Sequence, residues 1–196
     1  MNIPHLSAYA LTVEPKTTLE TLIRQKKIKA VKDKLAVDHF KTLINFVKEN
    51  GFEHYEISNF CKKGFYSKHN VSYWQGKKYL GIGPSAHSYN GTQRRWNVSH
   101  IKEYINSLNH GHVKSSEEIL TPEQKYNEYI MVSLRTMWGT DVEIIRKVFG
   151  QSYKTKFETE IKKYVRSGEV ENHGPTYTLS HRGKLFADGI SSDLFV

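Results

Sequence analysis

The chain has 196 residues, with 29 Lys plus Arg against 20 Asp plus Glu, a formal charge of +9 to which ten histidines add below neutral pH. At 38% apolar, 12% aromatic and 25% charged residues, the composition excludes a disordered or collagen-like chain, and the length suits one large domain or two small ones. A single cysteine, Cys61, excludes an internal disulfide framework, a four-cysteine zinc site and an iron–sulfur cluster held by three or four cysteines of this chain, and makes a reducing, cytoplasmic setting the natural expectation.

Taken in chain order, residues 6–13 read as a strand with almost no lead-in, which suggests that an earlier part of the protein is missing. Glu14-Pro15-Lys16-Thr17-Thr18 is a polar exit loop, and Arg24-Gln25-Lys26-Lys27-Ile28-Lys29 a basic, solvated stretch. Ala36, Phe40, Leu43, Ile44 and Val47 recur at helical spacing up to the stop Asn50-Gly51, and residues 52–58 alternate as a strand does. Strand, helix, strand predicts a βαβ unit with parallel pairing and a right-handed crossover. Residues 59–97 show no helical period and read as short strands and loops, with Tyr79-Leu80-Gly81-Ile82-Gly83-Pro84-Ser85 running from an apolar strand into a turn of small residues.

From Ser99 the pattern is helical. Ile101, Tyr104, Ile105 and Leu108 share a face; Thr121-Pro122-Glu123-Gln124 opens a second helix with a capping box, its apolar face being Tyr126, Tyr129, Ile130, Leu134 and Met137. Asp141 caps a third helix, a fourth runs from Ser152 through Phe157, Ile161 and Val165, a hairpin turns at Asn172-His173-Gly174-Pro175, and residues 180–195 form a last helix. Helices followed by a hairpin make a winged-helix-like module, so the expected division is 1–110 and 111–196. No stretch reaches the roughly 18–20 apolar residues of a membrane helix, and Met1-Asn2-Ile3-Pro4-His5 lacks a secretory signal's features.

Three clusters carry candidate chemistry. Glu56, at a strand end, offers a carboxylate to a polar ligand or serves as a strand-end surface group. In His69-Asn70-Val71-Ser72-Tyr73-Trp74, an imidazole ligand stands among side chains that stack on a large planar ring, or that pack a loop on a sheet. The glycine turn with His87 is followed by Arg94 and Arg95, a pair able to hold a carboxylate or phosphate. Neither G-x-x-x-x-G-K-[ST] nor H-E-x-x-H occurs.

In order and spacing, four segments resemble the oxygen-independent coproporphyrinogen III oxidase family of radical S-adenosylmethionine proteins. They are His5-Leu6-Ser7-Ala8-Tyr9-Ala10-Leu11-Thr12-Val13-Glu14-Pro15, Tyr55-Glu56-Ile57-Ser58, the His69 to Trp74 segment, and Tyr79-Leu80-Gly81-Ile82-Gly83 with Ala86-His87. Leu134-Arg135 and Gly183-Lys184-Leu185-Phe186 look like the family's C-terminal domain. His-Asn-x-x-Tyr-Trp looks like its haem-chaperone-type branch.

The resemblance implies an α+β chain: the last strands and helices of a partial (β/α) barrel, then the winged-helix-like domain. It implies haem or coproporphyrinogen as the tetrapyrrole partner, with His69, Asn70, Tyr73, Trp74 and Glu56 at its site. It also implies an S-adenosylmethionine pocket lined by Tyr9, Thr12, Gly81, Gly83 and His87. The family's radical chemistry needs Cys-x-x-x-Cys-x-x-Cys for a [4Fe–4S] cluster, which this chain lacks. The expectation is therefore a C-terminal portion, inert alone and retaining neither cofactor, with an exposed barrel edge open to dimerisation. The alternatives are a haem-binding chaperone or regulatory module that passes haem to an acceptor protein, and, least favoured because the charge is spread along the chain, a winged-helix nucleic-acid binder.

Overall fold

A computed structural model describes residues 3–196; Met1 and Asn2, part of the stretch read for a secretory signal, lie outside the described residues. The chain divides into two compact units, one ending at Ser67 and the other spanning Lys68–Val196.

In the first unit, β1 (His5–Ser7), α1 (Thr18–Arg24), α2 (Asp33–Glu49), β2 (Glu53–Glu56) and β3 (Asn59–Cys61) follow in order. The apolar stripe of α2 does what its spacing predicts: Ile44 and Val47 are buried with Phe60, and Leu6, Phe40, Leu43 and Phe52 pack around them. The sheet departs from the expected parallel βαβ unit. Its order is β1-β3-β2, with β3 antiparallel to both neighbours, so that Leu6 pairs with Phe60 and His54 pairs with the same residue from the other side. The chain reverses between β2 and β3, and the returning strand takes the position that direct β1–β2 pairing would need. The strand expected over residues 6–13 ends at Ser7, leaving Tyr9 and Leu11 each 73% exposed. The expected exit loop ends in a helix cap, since the Thr17 hydroxyl accepts from the Glu20 amide and donates to the Glu14 carbonyl.

The second unit opens with α3 (Lys68–Trp74), a helix where loops and short strands were expected. Next come β4 (His87–Tyr89), β5 (Gln93–Asn97), α4 (Ile101–Asn109) and β6 (Ser115–Ile119), the strands forming an antiparallel β4-β5-β6 sheet. Of the expected strand at Tyr79 only one bridge forms, Tyr79 to Tyr89.

The rest of this unit comprises α5 (Pro122–Leu134), β7 (Thr140–Asp141), α6 (Val142–Phe149), α7 (Gln151–Glu160), α8 (Lys162–Arg166), β8 (Val170–His173), β9 (Thr176–Leu179), a 3-10 turn (Gly183–Phe186) and α9 (Ala187–Asp193). The expected capping box is formed by Thr121 and Gln124. Tyr126, Ile130 and Leu134 of α5 are buried with Ile145, Phe157, Ile161 and Ile190, while Met137 is exposed. The helix expected from Ser152 to Val165 is interrupted at the buried Ile161, and the last helix begins as a 3-10 turn. A β7-β9-β8 sheet completes the helix and hairpin order of a winged-helix module.

Candidate functional site

The helix α3 carries most of the expected tetrapyrrole residues. It ends in a Schellman motif, in which the Gly76 amide donates to the Tyr73 carbonyl and the Lys77 amide to the Ser72 carbonyl, with Gly76 at φ +62°. Along the helix, residues four apart share a face. His69 and Tyr73 are therefore neighbours, their rings 4.9 Å apart and edge-on at 87°. Asn70 and Trp74, also four apart, are half-buried, whereas His69 and Tyr73 are exposed. The His69 ring nitrogens make no hydrogen bond to any described residue, so the imidazole retains a lone pair for an iron ligand. The row continues beyond the helix. Tyr73 meets Tyr79 edge-on at 4.7 Å, and Tyr79 is joined to Tyr89 by two backbone hydrogen bonds of 2.9 Å.

A cavity of about 450 Å³ lies in the same unit, lined by residues that include Tyr79, Gly81, Ser88, Arg95, Asn97 and Tyr104. The backbone of its glycine turn is held from several sides. The Gly81 amide donates to Ser88 Oγ at 3.0 Å, the Gly83 amide to Tyr104 Oη at 3.1 Å, and the buried Asn97 Nδ2 to the Gly83 carbonyl at 2.9 Å. Asn97 and Tyr104 carried no motif, but each had a signal: Asn97 is a polar residue ending a strand, and Tyr104 sits on an otherwise aliphatic helix face.

Of the residues expected around S-adenosylmethionine, Gly81 lines this cavity. His87 stacks on Trp96 with ring centres 6.0 Å apart, on the sheet face opposite Ser88 and Arg95, because successive strand residues alternate in direction. Tyr9 and Thr12 belong to the first unit and are exposed there. The same alternation overturns the paired-arginine clamp. Arg94 forms an ion pair with Glu128, while Arg95 Nε donates to Ser115 Oγ at 2.6 Å and its Nη2 to the Val113 carbonyl at 3.1 Å.

Glu56 is no surface carboxylate, being only 4% exposed. Its Oε2 accepts from the Ser58 amide at 2.9 Å and from Asn59 Nδ2 at 2.6 Å, and Asn59 Oδ1 accepts from Ser7 Oγ at 2.7 Å. Beside this network the His5 imidazole lies 2.6 Å from the hydroxyl of the fully buried Tyr55, which also accepts from the Ser67 amide.

The donor set does not fit an iron–sulfur cluster. Cys61 is fully buried, burial pushes its thiol pKa up, and no group of three His, Cys, Asp or Glu side chains among the described residues is placed to hold a metal. Cys61 is accordingly expected to resist a thiol reagent such as dithionitrobenzoate at neutral pH in the folded chain and to react once denatured. Rapid stoichiometric labelling of native protein would contradict this.

With the geometry in place, comparison with known proteins defines first a class. The whole chain superposes on 48% of the Escherichia coli coproporphyrinogen III oxidase HemN, a radical SAM enzyme, with a TM-score of 0.73 at 17% identity, a likeness of fold. Residues 120–186 match the family described as the HemN C-terminal domain. The heme chaperone HemW of Bacillus subtilis is 29% identical over 191 residues, 97% of this chain and 50% of that protein. The heme chaperone HemW of Mycobacterium tuberculosis H37Rv is 30% identical over 189 residues, 96% of this chain and 46% of that protein. The chain thus spans about half the length of the curated relatives it matches, and its residues 120–186 are similar to the HemN C-terminal domain.

Proposed function

We propose that this chain is the haem-presenting C-terminal portion of a HemW-like haem chaperone, with haem as cargo on α3. The observation that carries this reading is the exposed His69–Tyr73 row, an imidazole free of hydrogen bonds beside an aromatic edge that can lie against a porphyrin. Asn70 and Trp74 complete the site on the adjoining face. Two relatives named as heme chaperones, matched along nearly the whole chain, support it over coproporphyrinogen oxidation, which rests on likeness of fold.

In this reading residues 1–110 are the last part of a partial (β/α) barrel and 111–196 the appended module. The complete protein acts in the cytoplasm, binds S-adenosylmethionine near the Gly81 to Gly83 turn and a [4Fe–4S] cluster through cysteines outside this chain, and hands haem to an acceptor protein. Glu56 acts as a scaffold that fixes the β2–β3 turn. Dimerisation through an exposed sheet edge fits the same reading. A nucleic-acid role is weaker, because many cations of the winged-helix module are already paired: Arg146 and Lys154 with Glu143, Lys163 with Asp193, Arg182 with Glu169 and Arg135 with Asp188. Among the described residues no helix is long and apolar enough to cross a membrane.

Haem titration tests the proposal. The chain is expected to give a saturable Soret shift that His69→Ala abolishes or weakens at least tenfold, and the same preparation, given iron, sulfide, reductant and S-adenosylmethionine, is expected to release no 5′-deoxyadenosine. A spectrum unchanged by His69→Ala would sink the assignment of the ligand, and 5′-deoxyadenosine above background would sink inertness.

A further inference from the structure

We propose that Tyr79, which lies outside the His-Asn-x-x-Tyr-Trp segment, is a positioning residue for the haem-presenting helix. Its ring holds Tyr73, and through Tyr73 the orientation of His69. This inference rests on the haem reading of α3 given above.

The argument begins with the helix. The seven residues of α3 make fewer than two full turns, none of them is fully buried, and Asn70, Val71 and Ser72 are poor helix formers. A helix this short has little stability of its own, so its orientation depends on tertiary contacts. On the face that carries His69, the ring contacts are the edge-on stack of His69 on Tyr73 and that of Tyr73 on Tyr79.

Tyr79 is well placed to be the fixed end of this row. Its amide donates to the Tyr89 carbonyl and its carbonyl accepts from the Tyr89 amide, both at 2.9 Å, which adds it to the edge of the β4-β5-β6 sheet. The Tyr89 ring stands 6.1 Å away at 40°, behind Tyr79. Tyr79 is partly buried and its hydroxyl makes no hydrogen bond to a described residue, so the ring and not the phenol does the holding. An imidazole meant to ligate iron must keep its nitrogen directed at the metal within narrow limits. A row of rings ending on a sheet supplies that restraint while leaving His69 exposed.

The substitutions Tyr79→Phe, Tyr79→Leu and Tyr79→Ala separate ring, bulk and hydroxyl. Tyr79→Phe is expected to bind haem within twofold of the unaltered chain with the same Soret maximum. Tyr79→Leu and Tyr79→Ala are expected to bind about five- to tenfold more weakly, the equivalent of losing one aromatic pair, and to move the spectrum toward that of the His69→Ala chain. Amide exchange across Lys68–Trp74 reads positioning without haem, and should quicken in Tyr79→Leu and stay unchanged in Tyr79→Phe. If Tyr79→Leu matches the unaltered chain in spectrum and exchange, or if Tyr79→Phe loses as much as Tyr79→Leu, the positioning role is overturned. If the unaltered chain shows no His69-dependent spectrum, the haem reading itself falls, whereas a normal spectrum with an insensitive Tyr79 removes this inference alone. A Tyr79→Ala chain that fails to fold leaves Tyr79→Leu, with its retained bulk, to decide.

Discussion

Gly81→Ala is expected to destabilise the second unit by about 2–4 kcal/mol and to collapse the cavity beside the glycine turn. A Cβ at this position would lie 2.2 Å from the His87 carbonyl oxygen and 2.8 Å from its amide nitrogen, so backbone must move rather than a side-chain tip. Either residues 79–83 lift from β4 or the His87 peptide rotates out of its pairing with Trp96. Lifting this segment strains the bonds from the Gly81 amide to Ser88 and from Asn97 to the Gly83 carbonyl, and leaves the buried Asn97 side-chain amide short of a partner. Because Tyr79 lies two residues away, the same movement is expected to loosen the Tyr79–Tyr89 bridge. Thermal unfolding followed by circular dichroism checks the magnitude. A midpoint within about a degree of the unaltered chain would mean that the close approach is relieved at almost no cost.

The largest loss of stability is expected for Phe157→Ala, about 3–5 kcal/mol. Phe157 is fully buried on α7, and its ring stands edge-on to Tyr177 of β9, 5.4 Å between centres at 80°. This contact ties a helix of the winged-helix module to its hairpin, and the fully buried Ile161 lies one turn further along the same side. Truncation removes the transfer free energy of the ring and leaves a cavity between rigid neighbours. For the second unit, Lys68–Val196, each kcal/mol corresponds to roughly 3–5 °C, so the midpoint should fall by about 10 °C or more. Phe157→Leu, which keeps most of the volume, should cost about 1–1.5 kcal/mol. Equal losses for the two variants would show that ring geometry and not volume governs the contact.

Both substitutions act at places where local pattern and long-range contact meet, and these differ in how far the sequence discloses them. The periodicity of α2, α5 and α6 was legible because each buries a stripe, and burying a stripe demands residues three and four apart, whereas the stripe of α4 leaves Ile101, Ile105 and Leu108 exposed. The capping box at Thr121 and Gln124 was legible for a similar reason: both halves of the interaction lie within four residues. The helix α3 escaped a periodic reading because it buries no residue fully and so needs no stripe, although its stop, Gln75-Gly76, was present. The strand β3 is three residues long and its pairing with β1 joins residues more than fifty apart, a distance over which alternation carries no direction.

The candidate site divides in the same way. His69 and Tyr73 were visible as a motif, and a helix places residues four apart together, so their juxtaposition follows from local structure. Glu56 was visible as a residue, but its burial against Ser58 and Asn59 was not, because it depends on the turn that brings β3 back beside β2. Arg94 and Arg95 read as a pair in sequence and are separated by the pleat of a strand.

By itself the sequence determined composition, the single thiol, the amphipathic helices and the family resemblance, because each of these is set by residue identity or by spacing within a few turns. Only the tertiary structure decided that the first sheet is antiparallel, that Cys61 and Glu56 are shut away, and that Tyr73 rests on a tyrosine from another segment. Those outcomes depend on which surfaces meet after the chain has closed loops of six to more than fifty residues. The free energy that selects among such closures comes from burial and hydrogen bonding between distant parts of the chain, which no local pattern records.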